Sequence, residues 1–274
     1  MSSILRKFKK ILGFQYSNSD QDELAIGAMQ RSGKFTEVKK VDGEISFRYN
    51  GALQAYARTC PHSDMYVSNQ VLIQQEYRTV VDFFRINFPG RESLRIIDAG
   101  ANVGYSSMFF LSEYPNAQIA CVEPDGSNLQ VLKKNLAPFI SNKQVRVFQN
   151  GLMSEGGKSI ATKNDFRDGK DWSVSVSEVS GDSDLKSVSV QDIMREMNWG
   201  EVDIIKMDIE GSERFVFQND SDLNFLDRTS CLAIEIHDEF GCRDDIYGIL
   251  RKHDFVILNY AETTFAIAKK MIGA

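Results

Sequence analysis

The sequence has no uninterrupted run of eighteen apolar residues, so no transmembrane helix is expected. It has no excess of basic residues either. The 32 Lys and Arg stand against 38 Asp and Glu, for a net charge of −6, and this excludes the basic footprint of a nucleic-acid binder. Cysteine is scarce: Cys60, Cys121, Cys231 and Cys242 are scattered and form no CxxC pair. Cys121 and Cys231 sit inside apolar runs, where cysteine behaves as a small hydrophobe. The four read as reduced thiols of a cytoplasmic protein. The N-terminal stretch MSSILRKFKKILGF lacks the features of a secretory signal: Arg6, Lys7, Lys9 and Lys10 interrupt its apolar residues, and no small-residue cleavage site follows. There is no internal repeat and no low-complexity block.

What is present reads as an α/β protein long enough for one large domain and an appendage. Ile4, Leu5, Phe8, Ile11 and Leu12 recur at helical spacing with cations between them. Residues 1–12 are therefore expected to form a short basic amphipathic helix, suited to weak contact with a membrane surface, or to docking on its own protein or on a second subunit of a homo-oligomer. Residues 13–24 are polar and read as a linker. Val38–Tyr49 suggests short strands around the turn Asp42-Gly43. A helix is expected over Asn69–Asn87, ended by Pro89-Gly90. The domain boundary is placed there: residues 1–90 form an extension whose helix covers the active site, and residues 91–274 form the main domain.

From residue 92 onward strands and helices alternate. Strands are expected at Leu94–Asp98, Gln118–Val122, Gln144–Phe148, Val202–Met207 and Cys231–Ile236, with a final pair at Phe255–Leu258 and Thr264–Ala268. Helices are expected at Gly104–Tyr114, Asn128–Leu136 (closed by Pro138), Ser212–Phe217 and Asp244–Lys252. Repeated βα units imply a parallel sheet with helices on both faces. The Ser- and Asp-rich stretch between Gly156 and Val190 reads as extra strands or a lid.

In such a sheet, ligands bind beyond the carboxyl ends of the strands. The first strand runs directly into Asp98-Ala99-Gly100-Ala101-Asn102-Val103-Gly104. Gly100 allows a sharp turn, Gly104 a close approach, and the following helix points free N–H groups at a ligand. Alone, this turn suits several nucleotide ligands. An acidic residue precedes Gly-x-x-x-Gly, however, unlike the Gly-x-Gly-x-x-Gly of dinucleotide sites. Glu123, 25 residues after Asp98, follows the second strand directly and can accept both hydroxyls of a ribose.

The succession RIIDAGANVGYSSMFF, VEPDGSNLQVLKKNL, VRVFQNGLMSEGG, VDIIKMDIEGSERFVF and LAIEIH resembles the FkbM family of methyltransferases that use S-adenosylmethionine (SAM), over about residues 92–270. The resemblance implies a Rossmann-like sheet of seven mostly parallel strands with an antiparallel last strand, and O-methylation of sugar or polyketide hydroxyls. It places Asp98, Gly100, Asn102 and Gly104 around the methionine part of SAM, Glu123 on the ribose, Pro124 and Asn128 near the adenosine, and Asn150-Gly151 on the adenine side. Asp208 and Glu210 lie beside methyl donor and acceptor. Upstream, YARTCPHSDMYVSNQVLIQQEYR resembles a stretch that often precedes this domain in glycan-type members. Cys60-Pro61-His62 interrupts its spacing. Arg58, Asp64, Glu76 and Tyr77 match it, as a wall over the SAM pocket, as acceptor contacts, or as a packed cap and anchor.

Methyl transfer needs an aligned acceptor oxygen and a group to take its proton. The candidates at the mouths of the fourth and fifth strands are Lys206, Asp208, Glu210, Glu235 and His237. Lys206, inside an apolar run, needs a carboxylate partner, and Asp208 or Glu210 is the expected one. His237 is the expected general base, because its ordinary pKa lies near neutrality. A Mg²⁺ ion held by Asp208, Glu210, Glu235 and His237 is the rival route, and no metal is assigned. The acceptor is expected to be a sugar or glycan hydroxyl, with a polyketide or other small molecule as the alternative. Arg58, Asp64, Tyr77, Trp172 and Glu235 are its candidate contacts. A nicotinamide oxidoreductase and a non-catalytic SAM-binding module are the rival classes.

Overall fold

The computed structural model describes residues 17–163, 175–218 and 221–272. The basic segment 1–12 and Trp172 lie outside the described residues. The chain divides into two compact units, Met1–Glu76 and Tyr77–Ala274.

In the first unit, part of the expected linker is a helix, Asn18–Arg31. Ser17 caps it: its hydroxyl accepts the Asp20 N–H, and the Asp20 carboxylate accepts the Ser17 N–H. This capping box outweighs a polar composition that by itself reads as loop. Strands β1 (Phe35–Val41), β2 (Glu44–Tyr49) and β3 (Leu53–Arg58) form an antiparallel meander. Asp42 and Gly43 both adopt positive φ at the first turn, as a tight hairpin of right-handed twist requires. Asn50-Gly51 repeats the device before β3, a strand the hydrophobic pattern does not announce. The inward residues of β2 are Ile45, Phe47 and Tyr49, all fully buried, and Phe35 packs on Phe47 and Tyr49 with ring centroids 5.2 and 5.5 Å away. The helix expected over Asn69–Asn87 is interrupted. A wide turn at Asn69–Ile73 ends at Gln74, Gln75 is left-handed (φ 55°), and the helix restarts at Arg78–Asn87.

That second piece belongs to the second unit, so the division falls upstream of residue 90. Arg78 and Arg85 both pair with Glu113, and Val80 and Phe84 are buried. Thr79, Val80 and Phe83 face Cys231, Phe265 and Ile267.

The second unit contains β4 (Arg95–Ala99), β5 (Gln118–Val122), β6 (Val145–Phe148), β7 (Asn150–Leu152), β8 (Ile160–Lys163), β9 (Ser175–Glu178), β10 (Lys186–Val188), β11 (Val202–Met207), β12 (Thr229–Glu235), β13 (Phe255–Tyr260) and β14 (Thr263–Ala268). Seven of these form one sheet in the order β13-β14-β12-β11-β4-β5-β6, in which only β14 runs antiparallel to its neighbours. This is the expected Rossmann-like arrangement. Both faces are buried, since Ile96 and Ile97 alternate across β4 and neither is exposed. Each such side chain contributes roughly 1.5–3 kcal/mol to folding. The chain order reverses at β4, which lies between β5 and β11, so a crevice is expected beyond its carboxyl end.

The stretch between Gly156 and Val190 does supply extra strands. β8 pairs with β9 antiparallel, and β10 joins β7 in parallel. The helix expected over Asn128–Leu136 runs Gly126–Asn135 and ends at its C-cap Leu136, two residues before Pro138. Pro138 also opens a short helix, Ala137–Ser141, where its missing N–H costs nothing. Among the described residues no helix is long and apolar enough to cross a membrane.

Candidate functional site

The turn after β4 is set by backbone. Gly100, Asn102 and Gly104 all have positive φ, at 71°, 50° and 89°. A Cβ on Gly100 would lie 1.8 Å from the carbonyl oxygen of Asp208, so only glycine fits between the two loops. The N–H groups of Gly100 and Ala101 both donate to the Val122 carbonyl at 3.0 Å, fastening the turn to β5. The helix Tyr105–Glu113 then starts at Gly104 without any side-chain cap.

Glu123 leaves the end of β5 and is 4% exposed. Its Oε2 accepts the Asn102 N–H at 2.8 Å, and its Oε1 accepts the Asp125 N–H at 2.9 Å. Burial pushes its pKa up to about 7, against the backbone N–H groups of Asp125 and Asn102 and the Asn128 side chain, which favour the carboxylate. Asn128 is buried in the first turn of the helix Gly126–Asn135, capped by Asp125. Pro124 is half-buried between Glu123 and that cap. Gly100, Asn102, Gly104, Glu123 and Asn128 thus lie beyond the carboxyl ends of β4 and β5.

Asp98 and Lys206 are directly opposed in the β4–β11 register and are both buried. Lys206 Nζ stands 3.4 Å from Asp98 Oδ1 and donates to the carbonyls of Ala99 (3.1 Å) and Gly100 (2.6 Å). Ser106 and Ser107 each donate to Asp98 Oδ2 at 2.6 Å. Asp98 is thus a carboxylate partner of Lys206 that the sequence reading, which named Asp208 or Glu210, did not include. Strand pairing brings Asp98 to it across the sheet, while the chain turns away after Met207. Lys206 holds the glycine turn from beneath.

The mouths of β11 and β12 carry the second cluster. His237 is 1% exposed. Its Nδ1 faces Glu213 Oε1 at 3.2 Å, and its Nε2 faces Glu210 Oε2 at 3.2 Å and Glu235 Oε1 at 3.7 Å. Burial by itself would lower its pKa, but the facing Glu210 and Glu213 carboxylates, with the charge of Asp208, outweigh it and push it up to about 11. The carboxylates around the ring favour its protonated form, and Asp208 and Glu235 stand beside it as further proton acceptors. Asp208, Glu235 and His237 each offer a ligand atom within 4.8 Å of the others, and a divalent cation there would have to displace that proton. Glu213 was not among the expected site residues. In the sequence it is merely an acidic residue in the first turn of a short helix, and nothing local ties it to His237.

Other expected site residues have structural partners. Gly151 is buried where a Cβ would lie 2.5 Å from Ile160 Cδ1, which makes it a packing position under β8 and β9. The Asn150 side chain donates to the Lys186 carbonyl at 2.9 Å. In the first unit, fully buried Asp64 accepts the Arg58 N–H at 2.7 Å and the guanidinium through both carboxylate oxygens, which reads as a staple from β3 to the next helix. Tyr77 is buried against Phe110, with ring centroids 5.7 Å apart.

The profile of the "Methyltransferase FkbM domain" matches residues 98–257, more than half of the chain. The chain is similar to the methyltransferase sdnD of Sordaria araneosa, with 28% identity over 59% of this chain and 73% of that protein. It is also similar to the 2-O-methyltransferase NoeI of Sinorhizobium fredii, with 26% identity over 43% of this chain and 54% of that one. A solved structure of an FkbM methyltransferase from Methylobacillus flagellatus superposes with a TM-score of 0.43 at 17% identity, covering 74% of this chain and 53% of that one. The chain spans about half the length of these last two proteins. From the glycine turn through β11 and β12 to the start of β13, the matched segment is the one that carries the site, and the chain belongs to the FkbM methyltransferase family.

Proposed function

We propose that the protein transfers a methyl group from SAM to a hydroxyl of a sugar or glycan. The observation that carries this reading is buried Glu123 clasping the Asn102 N–H beside a turn that tolerates no Cβ at Gly100. A carboxylate there suits the two hydroxyls of a ribose, and Gly100 lets the loop after β11 close against the turn beside it. When bound, SAM supplies an electrophilic methyl on a sulfonium. Glu123 anchors the nucleoside, and Lys206 keeps the turn in place. Asp208, Glu210 and Glu235, gathered at the neighbouring mouth, can accept hydrogen bonds from vicinal hydroxyls, which supports a polyol acceptor. Asp208, Glu235 and His237 lie together at that mouth as acceptors for the hydroxyl proton. Such a positioned base is worth about 10²–10⁴-fold in rate.

The test is calorimetric titration with SAM and S-adenosylhomocysteine, followed by transfer of labelled methyl to a panel of neutral sugars, amino sugars and polyketide alcohols. Binding of both ligands and labelling of sugars are expected. Absence of binding overturns the reading.

Glu123 also predicts the pH dependence of binding. Ribose hydroxyls donate to its carboxylate, whereas its acid form presents a donor instead. SAM affinity should therefore be full above about pH 7 and fall as pH drops through that value, approaching tenfold per pH unit. Proton release on binding near neutral pH, read from the dependence of binding heat on buffer ionisation, checks the sign. Glu123→Gln should remove the pH dependence and weaken SAM about 10–100-fold, since a hydrogen bond to a charged group is worth roughly 1.5–3 kcal/mol.

A further inference from the structure

We propose that Arg214 selects the acceptor, its guanidinium anchoring an anionic group, a carboxylate or a phosphate, that the acceptor carries beside the hydroxyl to be methylated. This deepens the function proposed above and rests on its placing of the acceptor at the mouths of β11 and β12.

Arg214 follows buried Glu213 in the short helix Glu213–Val216. It is half-buried, and its guanidinium lies over two rings, 3.7 Å from the centroid of Phe240 and 4.5 Å from that of Phe215. Each ring is itself fixed. Phe240 abuts Gly211, the neighbour of Glu210, so closely that a Cβ there would lie 2.0 Å from the ring. Phe215 packs against Ile160 of β8 and Val176 of β9. Arg214 is thus held between the loop after β12 and the extra strand pair. Its charge reaches the Cys242 thiol, as do those of Glu213 and His237, so it stands at the rim of the same mouth.

Other half-buried arginines of the protein have carboxylate partners: Arg58 has Asp64, Arg78 has Glu113 and Arg243 has Asp238. Arg214 has none among the described residues, although Asp208, Glu210 and Glu235 are gathered at that mouth. Stacking occupies the faces of a guanidinium and leaves the N–H groups at its edge to bind. That planar fork matches the oxygens of a carboxylate or phosphate, and the paired bonds fix orientation as well as position. The carboxylates by themselves would repel an anionic acceptor. Arg214 supplies the attraction at the rim, and an acceptor seated there by its charge turns its hydroxyls toward Asp208 and Glu235. The sequence gives no hint of this, since Phe240 lies 26 residues further along the chain.

The test is calorimetric titration of the full chain, with S-adenosylhomocysteine present, by three probes: methyl glucuronide, glucose 6-phosphate and uncharged methyl glucoside. At least one anionic sugar should bind about 10–100-fold tighter than the glucoside, the span of a hydrogen bond to a charged group. Which of the two does so tells carboxylate from phosphate. Arg214→Met should equalise the preferred anion and the glucoside, while Arg214→Lys, which keeps the charge without the fork, should retain part of the preference. In NMR the Arg214 side-chain Nε–H signal, assigned by its absence in Arg214→Met, should shift with the preferred anion and not with the glucoside. Equal binding of all three sugars by the wild type, or no binding of either anion, overturns the proposal. So does a preference that survives in Arg214→Met. A loss of SAM affinity in Arg214→Met also overturns it, because the guanidinium then serves the cofactor carboxylate. Methyl transfer is read separately: labelling of polyketide alcohols alone refutes the sugar acceptor, while the Arg214 signal still reports whether an anion seats there.

Discussion

Lys206→Met should destabilise the protein by about 3–5 kcal/mol, the usual cost of leaving one member of a buried ion pair behind. The residue left behind is Asp98, which is fully buried and keeps, among the described residues, its two serine donors. At roughly 2–4 °C per kcal/mol for a domain of this size, the melting temperature should fall by about 6–20 °C. The carbonyls of Ala99 and Gly100 lose their donor as well, so SAM affinity should drop together with stability. Calorimetric unfolding of Lys206→Met, Asp98→Asn and the double variant provides the check. The double variant should cost clearly less than the sum of the two single changes, because removing both partners abolishes the stranded charge. Additive effects, or a single-variant loss below about 1 kcal/mol, would show that the pair is not the support described here.

Gly100→Ala should lower SAM affinity by at least about 100-fold, equivalent to roughly 2.7 kcal/mol. Two effects combine. The added methyl would collide with the Asp208 backbone, and the residue would have to hold φ 71° with a side chain. Strain of that kind costs on the order of 1–3 kcal/mol, and relieving it means separating the β4 turn from the loop after β11. Gly157→Ala is the control. Its φ is also positive, at 84°, but a Cβ there meets nothing within 4 Å. It should cost about 1 kcal/mol in stability and leave SAM binding as it was. Equal SAM affinities in the two variants, measured by titration calorimetry, would refute the steric argument.

The two units differ in how far they are legible from sequence. In the second, apolar runs buried on both faces of a sheet are separated by amphipathic helices, and β5 and β11 have the bounds their patterns suggest. In the first, the signals are short and polar. The capping box Ser17–Asp20 and the hairpin pair Asn50-Gly51 are both written in the chain, yet each rests on a few residues within a stretch that otherwise reads as loop. The break at Gln75 has no such mark: the apolar spacing runs from Val71 to Phe84 as though one helix spanned it, and a left-handed glutamine divides it.

By itself the sequence determined that an acid-first glycine turn follows a buried strand, that Glu123 ends the next strand, and that carboxylates and a histidine lie at the ends of β11 and β12. Those are local facts, because a turn's conformational demands and a strand's apolar run are met by adjacent residues. Only the tertiary structure decided the partners. Lys206 pairs with Asp98 because β4 lies beside β11 in that register. Glu213 meets His237 because the segments after β11 and β12 converge. The raised pKa values of His237 and Glu123 depend on burial and on groups distant in sequence, so spacing along the chain could not reveal them.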